Sequence, residues 1–558
     1  MMNNKHITIR QGTRLGVALA LALTALLALS MVVLAAGPAY DDAADAAYNS
    51  GWADGSNGGT GFGAWALTAS SNDAGHYVGS STDNNSGGDA NGDGDIDTND
   101  KAWAMFAYNG ALAEAERAFT TTMATGDRFH LLMDSGDVII TGSVGFKLQN
   151  TSDREVFAFY LNGSDSTYTI KDASGTFSTA IQATDEGLDI TFIVTDTTTR
   201  HYQMIVATLE DGTAYVYTGQ LISAIGGGNV ASIYMFNDTS GDTDTTNYVV
   251  FFNALELVPC DGPQDFVVTN AAQGGRGTLL NAVLSANACA GGTITFDVGT
   301  LGSIAVLSAG MELPIARDLT IIGPGLDPNF WADQFTLSGE DAYRVFSVGD
   351  GVTATISGLA INDGYAPRGG GLFNAGNLTL DDVMVKDNAT HDGVDGPSPT
   401  AGGHGGGIYN TGRLTMLGGT IRNNRAGYGG VSSSAGSSAA GGRAGGLYNA
   451  GGRVTLTGVS IRDNMAGDGG SSDVSFSSVG GAGGSGGAIY STGPLTLDDC
   501  QVAFNDAGYG GRGGRGAHGS GGAGKAGGAG GHGGAIYSYS TLTITHSSFS
   551  SNDAGRGG

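Results

Sequence analysis

The sequence predicts an all-β chain, a β-sandwich followed by a parallel β-helix. Three observations predict it. Residues 128–258 hold a succession of segments that alternate with period two, such as "RFHLLMD", "VFAFYLNG", "LDITFIVT" and "YVVFFNALELV", separated by polar turns. Residues 372–552 repeat one pattern five times with a core of nearly fixed length. Glycine fills 99 of 558 positions and only 14% of residues are charged, which suits neither a helical bundle nor a charge-rich disordered chain.

The chain is too long for one core, so about two to three domains are expected. Residues 1–36 come first. Lys5, Arg10 and Arg14 precede an apolar run from Leu15 to Ala36 that closes on the small residues a signal peptidase needs. Export to a secreted or cell-surface location follows, and the run is also long enough to stay as an uncleaved anchor. Three cysteines cannot supply a disulfide framework, and the sequence leaves open whether Cys260 and Cys289 pair. The formal charge of −28 carries no basic block. That excludes a nucleic-acid partner and fits a solvated surface or cation sites.

Residues 38–260 form the predicted sandwich. In "YNSGWADGSNGGTGFGAW" (48–65), glycines between Trp52, Phe62 and Trp65 predict tight bends that gather aromatic rings. About a dozen strands follow without a helix, and the layout resembles a concanavalin-type, lectin-like jelly roll. Inside it, "DANGDGDIDTND" (89–100) places Asp89, Asn91, Asp93, Asp97 and Asp100 at positions one, three, five, nine and twelve of a calcium loop. Gly94 permits the bend at six, Asp95 offers its carbonyl at seven, and Ile96 stands at eight. The loop resembles those of dockerins and EF-hand proteins, with the dockerin Asp at twelve. Calcium is thus the expected cofactor, in a structural role, against the plainer reading of an acidic insertion between strands.

Residues 264–358 lead into the β-helix. "GTLLNAVLSANA" (277–288) predicts a short amphipathic helix with Thr278 as N-cap, placed to cover the first coil. Residues 359–558 are the repeats. From the landmark aliphatics Leu372, Ile408, Leu447, Ile489 and Ile536, the asparagines Asn388, Asn424, Asn464, Asn505 and Asn552 lie 16 residues on, or 17 in the third repeat. From each asparagine to the next landmark the distance is 20, 23, 25 and 31 residues, so length variation is confined to one Gly-rich connection. A fixed core with insertions at one corner predicts a solenoid of three short strands per coil, with an asparagine ladder at one corner. Cys500 then fills the core. Collagen is excluded because no strict Gly-X-Y period exists.

"GGAIY" (486–490 and 533–537) and "FSSN" (549–552), with "IRNN" and "IRDN", resemble the repeats of polymorphic outer-membrane proteins. The leader "GTLLNAVLSAN…TITFD…LTIIGPG" is similar to the start of bacterial right-handed parallel β-helix surface proteins. The resemblance covers residues 264–558 and implies a right-handed helix, surface display and adhesion. It also implies an array continuing past residue 558; the barrel anchor of autotransporters is missing from this sequence.

No catalytic constellation emerges. Asp381-Asp382 and Asp498-Asp499 share a register but sit three coils apart, about 14 Å, too far for paired glycosidase carboxylates. Lys386, Arg422 and Arg462 align in adjacent coils and read as a solvated face. His404, His518 and His532 lack metal-ligand spacing. Phe373, Tyr409, Tyr448, Tyr490 and Tyr537 form an aromatic column that would stack on sugar rings if it faced outward, or on itself to stabilise the sheet. The expected function is a calcium-stabilised, non-enzymatic adhesin with a glycan partner. A β-helix polysaccharide lyase or glycoside hydrolase and a non-binding envelope component are the alternatives.

Overall fold

A computed structural model describes residues 38–84, 96–136, 138–184, 186–223, 227–239, 249–302, 306–326, 335–434, 436–472, 478–514 and 524–558. The export segment, His518 and four expected calcium ligands, Asp89, Asn91, Asp93 and Asp95, lie outside these residues.

Among the described residues, fifteen strands make up the sandwich: β1 (Ala39–Asp41), β2 (Phe62–Ala69), β3 (Ala74–Gly79), β4 (Ala102–Ala107), β5 (Leu112–Phe119), β6 (Arg128–Ser135), β7 (Ser143–Gln149), β8 (Glu155–Asn162), β9 (Thr167–Asp172), β10 (Gly175–Gln182), β11 (Leu188–Asp196), β12 (His201–Thr208), β13 (Ala214–Gln220), β14 (Ser232–Asp238) and β15 (Val249–Val258). They pair antiparallel in two sheets. One runs β13-β12-β11-β6-β15-β4-β3, with β1 added on β15, and the other runs β10-β9-β8-β7-β14-β5-β2. Period-two alternation sends one face of each sheet inward. Phe129, Leu131, Phe146, Phe157, Phe159 and Phe192 meet there, all fully buried. The glycine-spaced aromatics do converge: Trp52 lies 5.0 Å from Trp65, and Trp65 5.2 Å from Trp103. Beside them Arg117 and Asp41 form a fully buried ion pair. Further bonds from the guanidinium to Asn57, Gly58 and Gly63 satisfy its remaining donors, which is what makes a buried charge tolerable.

The first sheet is covered on its outer side as well. At one end Ile96 packs with Ala102, Ala104, Val249 and Phe251. At the other, helix α1 (Leu279–Ala288) lies over Ile193 of β11 and Ile205 of β12. Thr278 caps the helix by accepting from the Asn281 N–H at 3.3 Å. The Asn281 amide then reaches back to Thr191 Oγ1 at 2.9 Å. Cys260 and Cys289 are disulfide-bonded, their Cα atoms 5.7 Å apart, which ties the end of α1 to the strand leaving the sandwich. At a sequence separation of 29, replacing both cysteines by serine should cost about 3–4 kcal/mol. Thermal unfolding of that variant checks it, and reduced wild-type protein should unfold at the same temperature.

From Gln264 onward all sheets are parallel. Successive coils place strands in three of them, of nine, eight and seven strands. In one coil these are Leu372–Asn374, Asn377–Asp381 and Met384–Lys386. Landmark pairs with landmark, Leu372↔Ile408↔Leu447↔Ile489↔Ile536, without a slip. The inward residues form one aliphatic core that also receives α1. Each ladder asparagine follows a residue in the left-handed region, such as Asp387 (φ 55°), Asn423 (φ 54°) and Asp463 (φ 56°). Asp and Asn tolerate that conformation, so the "DN" and "NN" pairs turn the corner themselves. Phe504 (φ 57°) takes the same position in the next coil at a steric cost.

The Gly-rich connections are not loose insertions. Each runs out from the solenoid and back, and outgoing and returning arms bond alternately: Gly442 N to Gly427 O (2.7 Å), Gly467 N to Gly442 O (2.8 Å), Gly484 N to Gly467 O (2.8 Å), and on through Gly508, Gly531 and Gly555. A second rank lies three residues further along each arm, from Ala439 N to Gly430 O (2.9 Å) through Gly470, Gly481, Gly511, Gly528 and Gly558. Bonded glycines thus recur every third residue, the period of an extended polyproline-type helix that has no internal hydrogen bonds. The arms supply those bonds to one another and stack into a two-layered glycine slab beside the solenoid.

Candidate functional site

With the first sheet covered on both sides, the second presents the free face of the sandwich. Pairing of β8, β7, β14 and β5 sets side chains in rows across it. Tyr160, Gly145, Phe236 and Glu114 make one row; Ala158, Lys147, Tyr234 and Glu116 make the next. A third joins Asn162, Ser143, Asp238 and Leu112. Because Gly145 lacks a side chain, the Tyr160 and Phe236 rings approach to 6.5 Å over a hollow. The resulting groove has a volume of about 280 Å³.

Its electrostatics are divided. On one side Lys171 Nζ bonds Glu155 at 2.7 Å, Lys147 approaches the same carboxylate at 3.8 Å, and the hydrogen bond to Glu155 raises Lys171 above the ordinary lysine range. Lys147 Nζ also lies 5.2 Å from the Tyr234 ring centre and 5.0 Å from that of Phe236, a cation–π contact that covers Phe236. On the other side stand Glu114 and Asp238, with Glu116 just outside the groove in the row of Tyr234. Burial, and then the nearby Asp238, push Glu114 above the usual carboxylate range, against the pull of Lys147. Glu116 is raised by burial, with Asp153 and Glu114 adding to it against a bond from Ser232 Oγ. The Tyr234 hydroxyl donates to Glu114 and fixes its rotamer.

This groove was not among the sequence-predicted sites. Its signal was the alternation Glu114-Ala115-Glu116 and Tyr234-Met235-Phe236-Asn237-Asp238, but the two segments are 120 residues apart at the Tyr234–Glu114 contact.

The sequence-predicted residues are placed as follows. Asp97 is held by Ser80 Oγ at 2.6 Å and the Ser81 N–H at 2.9 Å. Asp100, next to Asn99, has φ 59°. The buried Asn253 amide gathers this end of the loop through the Ile96 and Lys101 carbonyls at 2.8 and 2.9 Å. The aromatic column stacks on itself: Phe373–Tyr409 at 5.6 Å, Tyr409–Tyr448 and Tyr448–Tyr490 at 5.0 Å, and Tyr490–Tyr537 at 5.6 Å. Both faces of Tyr409, Tyr448 and Tyr490 are taken by neighbouring rings, so the open strip that sugar stacking requires is not formed. Arg368 and Arg443 cover Tyr409 and Tyr490 further. Lys386, Arg422 and Arg462 do lie in one register, but Lys386 is only 9% exposed and Arg462 pairs with Asp463 at 2.7 Å. Burial, and next the Arg462 charge, lower Arg422. His404 stacks on Tyr448 at 5.0 Å; burial, with Arg443 and Arg368 beside it, lowers its pKa to about 4.

A second cavity, about 400 Å³, lies where the sandwich meets α1. Asp189 organises its wall, accepting from His130 Nε2 at 3.1 Å and the Arg276 N–H at 2.8 Å. Burial alone would raise Asp189, but His130 and these bonds hold it below the usual range. Arg276 pairs with Glu256 at 3.1 Å. These contacts join the sandwich to the segment before α1.

No family model matches the chain, and no curated protein does. Among solved structures, β-glucanase of Bacillus licheniformis is similar at 13% identity, covering 40% of this chain and 99% of its own, with a TM-score of 0.22. The winged bean acidic lectin, complexed with methyl-α-D-galactose, is similar at 9% identity over 35% of this chain and 98% of its own, TM-score 0.22. Arcelin-5, a lectin-like defence protein from Phaseolus vulgaris, is similar at 7% identity over 35% and 97%, TM-score 0.21. The assignment of the first part as a two-sheet antiparallel sandwich rests on its own strand order.

Proposed function

We propose that this chain is an exported, cell-surface carbohydrate-binding protein, in which a concanavalin-like sandwich carries the binding groove and a right-handed parallel β-helix serves as stalk. The observation that carries this reading is the groove on the free sheet, where partly exposed Tyr160 and Tyr234 stand among charged and hydroxyl groups. Aromatic faces suit the apolar faces of pyranose rings, and fixed polar groups suit their hydroxyls. Export rests on residues 1–36, and calcium binding on the spacing from Asp89 to Asp100, with the metal stiffening that segment against the covered sheet.

The test is binding of the full-length chain to a glycan array, with calcium and with chelator. Replacing Tyr160 and Tyr234 by alanine should weaken binding about tenfold or more, since each lost stacking contact is worth about 1 kcal/mol. Thermal unfolding should change little, both rings being partly exposed. Unchanged binding in the double variant would sink the groove as the recognition site.

One observation favours a second reading, glycoside hydrolysis at the Glu114 edge of the groove. Glu114 and Glu116 share a face two residues apart on β5, their Cα atoms about 7 Å apart, which lets their carboxyl groups reach the separations that flank a scissile glycosidic bond. Both are raised, as a general acid must be. Reducing-end release from β-glucans, lost in Glu114→Gln and Glu116→Gln, would establish it.

A further inference from the structure

We infer that the groove on the free sheet of the sandwich prefers a sugar bearing a positive charge, an amino sugar with a free amine, over its neutral and N-acetylated counterparts. The inference rests on the carbohydrate-binding reading and narrows its ligand.

The argument begins with the division of charge. Lys147 and Lys171 both pair with Glu155, so the cations of the groove are engaged on that side, with one positive charge in excess there. The carboxylates of the β5–β14 side have no such partner. Glu114 and Asp238 are diagonal neighbours across the strand pair, and Glu116 lies two residues from Glu114 on the same face. Among the described residues these three carboxylates make no ion pair within 4.0 Å; Glu114 and Glu116 are bonded instead by the neutral hydroxyls of Tyr234 and Ser232. Crowded carboxylates in a partly buried hollow disfavour their own ionisation, and a bound cation relieves that. Burial is the main cause of the upward shifts of Glu114 and Glu116, with neighbouring carboxylates adding to it, and the Lys147 charge offsets only part of the shift at Glu114.

The geometry suits a pyranose rather than a bare ion. Tyr160 and Tyr234 flank the hollow above Gly145, and β5 lies two strands from β7, about 10 Å across the sheet. A ring resting over Gly145 would direct an equatorial substituent toward Glu114 and Asp238. An ammonium group there gains two charge-assisted bonds. A hydroxyl donates to the same carboxylates without the added attraction of a positive charge, and an acetamide brings bulk without charge.

The test uses three β-1,4-linked tetrasaccharides that differ only at C2: glucosamine, glucose and N-acetylglucosamine. They are titrated calorimetrically into the full-length protein at a pH where the amine is protonated. The expected result is at least about tenfold tighter binding of the glucosamine tetramer than of the glucose tetramer, with the ratio of the two affinities falling to about one in Glu114→Gln/Asp238→Asn. Equal affinity for the three would overturn the charge preference and leave the carbohydrate-binding reading standing. A preference that survives in the double variant would assign it to the general field of a chain with formal charge −28 and also overturn it. Failure of all three to bind would remove both readings for this backbone linkage.

Discussion

Replacing Asn424 by alanine is expected to destabilise the solenoid by about 3–5 kcal/mol, because the loss orphans buried partners in two coils. Asn424 is 1% exposed. Its side-chain oxygen accepts from the Asn388 N–H (3.1 Å) and Asn388 Nδ2 (2.9 Å), while its own amide donates to the Val385 carbonyl and to Asn464 Oδ1, each at 3.0 Å. Alanine leaves the buried Asn388 N–H and side-chain amide without their acceptor. Equilibrium denaturation measures the loss, and a change below 1 kcal/mol would mean the ladder decorates a corner that packing already holds. Asn424→Asp separates the donor role from the acceptor role. It keeps the oxygen facing Asn388 but points a second oxygen at two acceptors, so the buried carboxyl should titrate above its unfolded value of about 4. The folded form then binds more protons than the unfolded, and the variant should lose stability as pH rises through that region and recover part of it on acidification.

How much of this was legible in the sequence depends on distance along the chain. The Asn388–Asn552 ladder and the pairing of landmark aliphatics could be read because a repeat compares each residue with its counterpart one coil on, which is also its neighbour in space. Thr278 as N-cap could be read because capping is local. A second ladder, Asn374 to Asn410 (2.7 Å), Asn449 (2.9 Å) and Ser491 (2.9 Å), is just as periodic, two residues after each landmark, but its last member is a serine and an aromatic residue separates it from the landmark. The aromatic column could be located but its direction could not. Strand alternation puts Tyr448 opposite the core aliphatics, yet whether its faces meet solvent or other rings depends on the Gly-rich arms and on His404 beside it. The groove on the sandwich was beyond reach for a different reason. Its rows arise from antiparallel pairing of β14 with β5 and β7, and no local pattern specifies which strands become neighbours.

The glycine slab shows in the sequence only as connections of variable length, and it supplies a second large expected effect. Gly467→Ala should disrupt the slab, with a loss of at least about 3 kcal/mol and exposure of the arms to proteolysis. A methyl at Gly467 would stand 1.8 Å from the Gly427 carbonyl oxygen and 2.8 Å from the Gly442 nitrogen. Both are backbone atoms of neighbouring arms, which are themselves bonded further along the stack, so no rotamer change relieves the overlap. The same contact recurs at Gly484, Gly508, Gly531 and Gly555, each within 1.9 Å of a carbonyl oxygen from the arm it stacks on. The composition of these segments is therefore a packing requirement, and flexibility is not what the glycines provide. Gly436→Ala is the control, because a methyl there meets nothing nearer than 3.6 Å and should be tolerated. If the two variants unfold alike and are cleaved alike, the arms are independent loops; if only Gly467→Ala opens the arms, glycine at every third residue is what lets them approach closely enough to exchange backbone hydrogen bonds.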